Sequence, residues 1–114
     1  PDHVQGLTLL GGEPMEPANR EALLPLLDAV RQRYPKKSIW CYTGYTFEGL
    51  RAGKPGPKET IDAMLSHLDV LVDGPFVEAK KNLNLRFRGS SNQRLITIPS
   101  SISTGCTILW DDGR

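Results

Sequence analysis

Two glycines, a carboxylate and a proline follow directly on a short apolar segment near the start of the chain. Gly11, Gly12, Glu13 and Pro14 come after the sequence Leu-Thr-Leu-Leu at residues 7–10. Because glycine has no side chain, the backbone at these positions can approach a ligand closely and present its N–H and C=O groups. A phosphate at a helix N-terminus would favour such glycines, but the carboxylate of Glu13 would repel it and would suit an ammonium group. The pattern indicates either a binding turn for a ligand with an amine or a tight strand-to-helix turn with an incidental glutamate.

Two other predicted strands also end in polar or glycine-bearing sequences. Thr43 and Gly44 close the second strand, and Asp73 begins the sequence Asp-Gly-Pro-Phe that closes the third. In α/β folds, ligands bind beyond the carboxyl ends of the parallel strands. We therefore expect Thr43 and Asp73 to lie at the same edge of a sheet as the turn formed by residues 11–14.

A further polar segment, with the sequence Arg-Gly-Ser-Ser-Asn-Gln-Arg, precedes the fourth predicted strand. Its residues are Arg88, Gly89, Ser90, Ser91, Asn92, Gln93 and Arg94. The short polar side chains suit a hydrogen-bonded loop, and the two arginines offer forked donors for a carboxylate. This composition is compatible with a surface loop that caps itself and with a loop that contributes to a site.

Apolar periodicity predicts an alternation of strands and helices. The expected strands are 6–10, 38–44, 69–76 and 95–99, the expected helices are 19–34 and 60–68, a short helical turn begins at 47, and a terminal strand or hairpin lies within 100–114. Asn19 is the expected N-cap of the first helix. Continuously apolar strands separated by helices predict a parallel sheet with right-handed crossovers. We therefore expect an α/β protein with a single domain over residues 1–114.

The composition fits a cytoplasmic protein. The chain has 114 residues and a net charge of +1, with 39% hydrophobic and 24% charged residues. This balance gives no reason to expect nucleic acid or a membrane as the main partner. No apolar run approaches the roughly 18 residues that span a bilayer, and the first residues lack the basic and apolar regions of a signal peptide.

The two cysteines do not form a metal-binding motif. Cys41 and Cys106 are 65 positions apart, whereas thiolate metal sites usually show short spacings. Cys41 lies within a predicted strand, where a small buried residue is expected. A disulfide between the two is not expected in a reducing cytoplasm. The sequence therefore predicts no metal site within this chain.

Gly-Gly-Glu-Pro after a strand resembles the motif with which radical S-adenosylmethionine (SAM) enzymes bind the amino group of SAM. The segments LTLLGGEP, YPKKSIWCYTGYTFE, DVLVDGPF and RGSSNQR occur here in the order typical of the activating proteins of anaerobic ribonucleoside-triphosphate reductase. The resemblance covers about Gly6 to Ile98. RGSSNQR after DGPF is specific to that family, whereas GGEP is shared by many radical SAM enzymes. The resemblance implies a partial (β/α) barrel of the radical SAM type with parallel strands.

The family's signature, CxxxCxxC, does not occur in this sequence. In the family it lies upstream of the GGEP strand and holds a [4Fe-4S] cluster by three thiolates. The chain also begins without an initiator Met and reaches its first strand within a few residues. We therefore expect a fragment that lacks the N-terminal strand and the cluster loop, and whose exposed sheet edge favours self-association.

For the intact protein, the resemblance implies that a reduced cluster cleaves SAM. The resulting 5′-deoxyadenosyl radical takes hydrogen from a glycine of the large, glycyl-radical subunit of the reductase. The residues that would bind SAM by their position in the motifs are Gly11, Gly12, Glu13 and Pro14 at the methionyl amine, and Thr43 and Asp73 at the rest of SAM or an associated cation. The segment 88–94 would contact SAM or the docked partner. The fragment alone is expected to be inactive.

Two other functions are compatible with the sequence. A noncatalytic α/β ligand-binding module would use GGEP and DGPF only as turns. An activator of another glycyl-radical enzyme, such as pyruvate formate-lyase, would share GGEP, but the RGSSNQR segment argues against it. Residues encoded upstream of Pro1 would decide between an activating enzyme and a binding module.

Overall fold

Strands and helices alternate along the chain, as the sequence predicts for an α/β protein. The computed structural model describes residues 6–9 and 12–110. The elements in order are β1 (Gly6–Leu9), α1 (Pro17–Arg33), β2 (Ser38–Tyr42), α2 (Phe47–Arg51), α3 (Lys58–Ser66), β3 (Val70–Asp73), a 3-10 turn (Glu78–Lys80), β4 (Arg94–Thr97) and α4 (Ile98–Thr104). Within these described ranges, every helix is too short or too polar to cross a membrane.

The four strands form one mixed sheet in the order β1-β2-β3-β4. Parallel pairing joins β1 to β2 and β2 to β3. In contrast, β4 runs antiparallel to β3, so that Asp73 lies opposite Arg94 and Val70 opposite Thr97. The prediction of an all-parallel sheet is therefore wrong for β4.

The connection between β3 and β4 explains this difference. A parallel strand requires a crossover of a dozen or more residues, usually an α-helix, to return the chain to the other edge of the sheet. Residues 74–93 are long enough for such a crossover but contain only the short 3-10 turn and no helix, and β4 starts beside the end of β3 at the carboxyl edge. The described strands form an open mixed sheet, and the partial barrel implied by the resemblance stays a prediction.

The first helix begins before its expected N-cap. α1 starts at Pro17, and Glu16 is the residue that precedes it in an extended conformation. Proline suits the first turn of a helix because its φ is already helical and its missing N–H would have no helical partner there. The expectation that Asn19 caps the helix is therefore wrong. The side chain of Asn19 instead donates to the carbonyl of Glu13 at 2.7 Å.

The residues directly after β4 form a helix, so the strand or hairpin expected within 100–114 does not begin there, and residues 111–114 lie outside the described part of the chain. β4 ends at Thr97, and α4 follows at once with a proline in its first turn and Gly105 in the left-handed conformation at its end. Proline and glycine at these two positions favour a short helix. Beyond it, Leu109 makes an isolated antiparallel bridge to Ile96. The short helical turn predicted at residue 47 is confirmed as α2.

One face of the sheet packs against the helices and carries the hydrophobic core. Ile39 and Cys41 of β2 are fully buried in this core. Trp40, between them, points to the other face, where the rings of Phe87 and Trp110 lie edge to face at centroid distances of 5.2 and 5.0 Å. The core side of β2 is thus closed, while on its other face Trp40 and Tyr42 line a shallow groove with Phe87.

Candidate functional site

A cleft of about 230 Å³ opens at the carboxyl edge of the sheet. Its lining residues come from all four sequence motifs and are Glu13, Pro14, Tyr42, Thr43, Gly44, Gly74, Phe76 and Gln93. The expectation that the polar strand ends meet at one edge is confirmed. Among the other predicted site residues, Gly11 lies outside the described residues, Gly12 opens onto a neighbouring groove, and Asp73 is buried away from the cleft.

The side chain of Glu13 joins the turn after β1 to the end of β2. Its Oε1 accepts a hydrogen bond from the backbone N–H of Gly44 at 2.6 Å. Its Oε2 accepts from the hydroxyl of Thr43 at 2.7 Å and from the backbone N–H of Met15 at 3.0 Å. A carboxylate offers about four acceptor positions, so three are occupied within the chain. Glu13 is therefore a fixed negative group in the wall of the cleft, with little acceptor capacity left for a ligand.

Gly12 has no packing reason to be glycine. A Cβ built at this position would have no heavy atom within 4 Å. The residue faces a groove of about 340 Å³ that it shares with Thr8, Leu9, Pro14 and Asn19, among others. The open space in front of Gly12 is where a ligand could approach the backbone closely, which is the use of glycine that the sequence indicates.

Thr43 lies at the point where β2 ends, and it is 5% exposed. Its hydroxyl donates to Glu13 and accepts the backbone N–H of Tyr45 at 3.2 Å. Its own N–H donates to the carbonyl of Val72 on β3 at 3.0 Å. Thr43 thus lines the cleft while its hydrogen bonds fix the corner between the strand ends.

Asp73 does not reach the cleft. Its buried carboxylate accepts from Arg94 Nε at 3.0 Å and Arg94 Nη2 at 2.5 Å, and from the backbone N–H of Phe47 at the start of α2 at 2.7 Å. The next residue, Gly74, lines the cleft instead, with a φ of 96° that favours glycine. Asp73 therefore fixes the strand end and α2, and the backbone turns sharply after it.

Arg94 bridges two carboxylates on the helix side of the sheet. Besides Asp73, it donates from Nη2 to Glu48 Oε1 at 2.6 Å and from Nη1 to Glu48 Oε2 at 3.1 Å. The hydrogen bonds from Arg94 lower the pKa of Glu48 to about 2, and the two carboxylates raise the pKa of Arg94. Because both forks of the guanidinium are engaged, Arg94 links α2, β3 and β4 rather than offering a free site for a carboxylate ligand.

The side chain of Gln93 connects the 88–94 segment to the loop after β3. Its Oε1 accepts the backbone N–H groups of Gly89 at 2.9 Å and Ser90 at 3.2 Å. Its Nε2 donates to the carbonyl of Gly74 at 3.1 Å. Gln93 is also the residue of this segment that lines the cleft. Its amide therefore holds two backbone segments at a fixed distance in the cleft wall.

Asn92 and Ser90 also bind the 88–94 segment to the loop after β3. The Nδ2 of Asn92 donates to the carbonyl of Pro75 at 2.8 Å. The hydroxyl of Ser90 accepts the backbone N–H of Val77 at 3.2 Å and donates to Asn92 Oδ1 at 2.6 Å. Together with Gln93, these side chains satisfy backbone groups of residues 74, 75 and 77 in a segment without regular secondary structure.

The remaining residues bond within the segment and to the 3-10 turn. Arg88 donates from Nη1 to the carbonyl of Gln93 at 2.5 Å, and the N–H of Ser91 donates to the carbonyl of Lys80 at 2.9 Å. A Cβ on Gly89 would lie only 2.9 Å from the ring of Phe76. The bonds within the segment fit a loop that caps itself, and Gln93 also places the segment in one wall of the cleft. A role of the segment in binding stays a prediction.

The cysteines do not provide a site for an iron–sulfur cluster. Cys41 is buried and Cys106 is exposed. Burial, and to a lesser degree the charge of Glu13, raises the pKa of Cys41 to about 12, so its thiol is protonated at neutral pH, whereas cluster ligation requires thiolates. In the described part of the chain, no group of three or more histidine, cysteine, aspartate or glutamate residues could hold a metal ion. A cluster held by three thiolates therefore does not fit the residues of this chain.

Sequence reasoning missed two aromatic residues of the cleft. Tyr42 and Phe76 line it, although the sequence predicts only strand packing for Tyr42 and no role for Phe76. Both lie at strand ends, one immediately before Thr43 and the other three residues after Asp73. The rule that ligands bind at the carboxyl ends of strands applies to these residues as well as to their polar neighbours, and it could have identified them.

Replacing Glu48 by glutamine should reduce the acid sensitivity of the fold. The pKa of Glu48 is lowered from 4.5 to about 2 in the folded chain by Arg94. The stabilisation from this pair is therefore present above pH 4.5 and is lost as the pH falls towards 2. Urea unfolding at a series of pH values should show a shallower loss of the free energy of unfolding across this range for Glu48→Gln. The exposed Glu59→Gln on α3 is the control, and identical pH profiles for the two variants would contradict the assignment.

Comparison with known proteins identifies one family and a group of relatives that share one name. Residues 1–96 match the family described as the 4Fe-4S single cluster domain. An anaerobic ribonucleoside-triphosphate reductase-activating protein of Haemophilus influenzae is 43% identical over 89 residues, which cover 78% of this chain and 53% of the relative. The protein of the same name from Enterobacteria phage T4 is 42% identical over 95 residues, 82% of this chain and 53% of the relative.

A third relative of that name, from Escherichia coli K12, is 40% identical over 89 residues, again 78% of this chain and 53% of the relative. The chain thus spans about half the length of the curated relatives it matches. No solved structure matches the chain. The chain belongs to the 4Fe-4S single cluster domain family and is similar to the activating proteins of anaerobic ribonucleoside-triphosphate reductase.

Proposed function

We propose that this chain forms the SAM-binding part of an enzyme that activates anaerobic ribonucleoside-triphosphate reductase by generating a glycyl radical on its large subunit. The names of the relatives support the target enzyme. The observation that carries the proposal is the cleft, where four motifs of the chain meet around the fixed carboxylate of Glu13. SAM has an ammonium group and a sulfonium group against one carboxylate, so it is a net cation, and a negative wall suits such a ligand.

The contacts around the cleft favour a different role in SAM binding for each of the motifs. We assign the methionyl amine to the backbone of Gly11 and Gly12, because the space in front of Gly12 is open, in the groove next to the cleft. Glu13 holds this turn against Thr43 and contributes its negative charge. Asp73 acts at a distance by fixing the end of β3 against β4 and α2, since its carboxylate is occupied by Arg94 and by the N–H of Phe47.

The 88–94 segment forms the wall of the same cleft that lies next to β4. Its Gln93 sets the distance between the loop and Gly74, and its exposed surface is available to a docked segment of the reductase. The similarity to three reductase-activating proteins favours this partner over another glycyl-radical enzyme, such as pyruvate formate-lyase. A cytoplasmic location is part of the proposal, because free cysteines such as Cys41 and Cys106 suit a reducing compartment.

The chain alone is proposed to be inactive in radical formation. Cleavage of SAM, which supplies the 5′-deoxyadenosyl group that takes hydrogen from the target glycine, requires an electron donor in contact with it. The two cysteines of this chain cannot supply the three thiolates that the family's cluster requires. By itself, the chain is then a noncatalytic α/β module that binds SAM.

Replacing Gly12 by valine should weaken SAM binding by roughly tenfold or more, because overpacking a filled site costs about 1–3 kcal/mol. Gly12→Ala should give a smaller loss. Calorimetry with the 114-residue chain measures both affinities. Since a Cβ at this position meets no atom of the protein, folding should be unaffected. Ser100→Val on the exposed surface of α4 is the matched control. Equal SAM affinity in all four proteins would exclude Gly12 from the site.

Anaerobic reconstitution with iron and sulfide should give no stoichiometric [4Fe-4S] cluster on this chain. The reason is the protonated, buried thiol of Cys41 and the lack of a third cysteine. Iron analysis and electron paramagnetic resonance measure the result, with a reductase-activating protein of the relatives' full length as the positive control. One cluster per 114-residue chain, with cleavage of SAM on reduction, would refute the proposed inactivity.

A further inference from the structure

The cleft at the carboxyl edge is lined by groups that attract cations. It contains the carboxylate of Glu13 and the rings of Tyr42 and Phe76, and no lysine or arginine lines it in the part of the chain that the structure describes. The nearby Arg94 is engaged by two carboxylates on the helix side of the sheet. Aromatic faces carry partial negative charge and bind cations, most strongly where water is excluded. The lining therefore selects a positively charged ligand.

Phe76 is held in place although half of it is exposed. Its exposed fraction is 51%, and burial of an apolar side chain therefore does not account for its position. The carbonyl of the preceding Pro75 accepts from Asn92, and the N–H of the following Val77 donates to Ser90. Both peptide groups that flank the ring are thus fixed by side chains of the 88–94 segment.

Gly89 completes this arrangement. One edge of the Phe76 ring, at Cδ1 and Cε1, lies 2.9 and 3.0 Å from where a Cβ of residue 89 would be. Only glycine leaves room for the ring at this place. The loop thus presents an aromatic ring at the cleft with its orientation set in advance, which lowers the entropic cost of binding.

We infer that Phe76 is a specificity-determining residue that contacts the sulfonium centre of SAM through its ring, with Tyr42 as the second aromatic wall. This inference rests on the proposed function, because it assigns one part of the SAM molecule to one part of the same cleft. The sulfonium is the group that distinguishes SAM from the neutral thioether S-adenosylhomocysteine. A ring that recognises it therefore contributes to the preference for the charged ligand and not to the affinity for the parts that both molecules share.

The test is the ratio of the affinities for SAM and S-adenosylhomocysteine, measured by calorimetry on the 114-residue chain. We expect wild type to prefer SAM by a factor on the order of ten. Phe76→Leu, which keeps an apolar side chain but removes the ring, should lose most of this preference. Phe76→Trp should retain or increase it, because the indole face binds cations best.

Phe87→Leu is the matched control. Phe87 is the same residue type with a similar exposure, and its ring lies against Trp40. Its backbone carbonyl accepts from the hydroxyl of Tyr42 at 2.6 Å, and the substitution keeps that carbonyl. Its replacement should leave the ratio unchanged. A Phe76→Leu protein with the wild-type ratio would overturn the role of the ring and leave the proposed function intact. A wild-type chain that binds neither molecule would overturn the proposed function and this inference with it.

Discussion

The carboxylate of Glu13 is the contact on which the candidate site depends. It accepts hydrogen bonds from Met15 in its own turn and from Thr43 and Gly44 at the end of β2. Met15 in the core and the bond from Tyr45 to Glu16 also hold this turn, but Glu13 is the residue whose side chain bonds directly to the end of β2. The sequence suggests Glu13 as a ligand for an amine, but its observed contacts hold the turn after β1 against the end of β2. Charge-assisted bonds of this kind are among the stronger hydrogen bonds in proteins.

A second constraint acts from the opposite side of the cleft. The connection from β3 to β4 contains no helix, so its backbone groups need other partners. Gln93, Asn92 and Ser90 provide them by bonding to residues 74, 75 and 77. The same connection returns the chain at the carboxyl edge and makes β4 antiparallel. The connection therefore accounts for the mixed sheet, and the polar side chains of residues 88–94 account for the fixed position of Phe76.

The sequence predicts the elements well and the directions of side chains less well. Buried strands and the edge at which their polar ends meet follow from apolar periodicity, because that pattern is local. The direction of β4 depends on the absence of an α-helix from the described 74–93 connection. The buried orientation of Asp73 depends on Arg94, which is 21 positions away. Asn19 resembles a helix cap, but Pro17 starts the helix earlier. The strand direction and the side-chain orientation are decided by contacts between distant segments, and the pattern of a single sequence does not reveal those contacts.

Hydrogen exchange of the backbone amides of Gly44 and Met15, followed by nuclear magnetic resonance, tests the tie formed by Glu13 most directly. In wild type, both amides should exchange more slowly than those of an unstructured peptide, because each donates to the carboxylate. Glu13→Ala should remove this protection, while Glu16→Ala, which removes a neighbouring carboxylate bonded to Tyr45, should not. Fast exchange of both amides in wild type, or equal protection in all three proteins, would show that the carboxylate of Glu13 does not hold the turn after β1 against the end of β2.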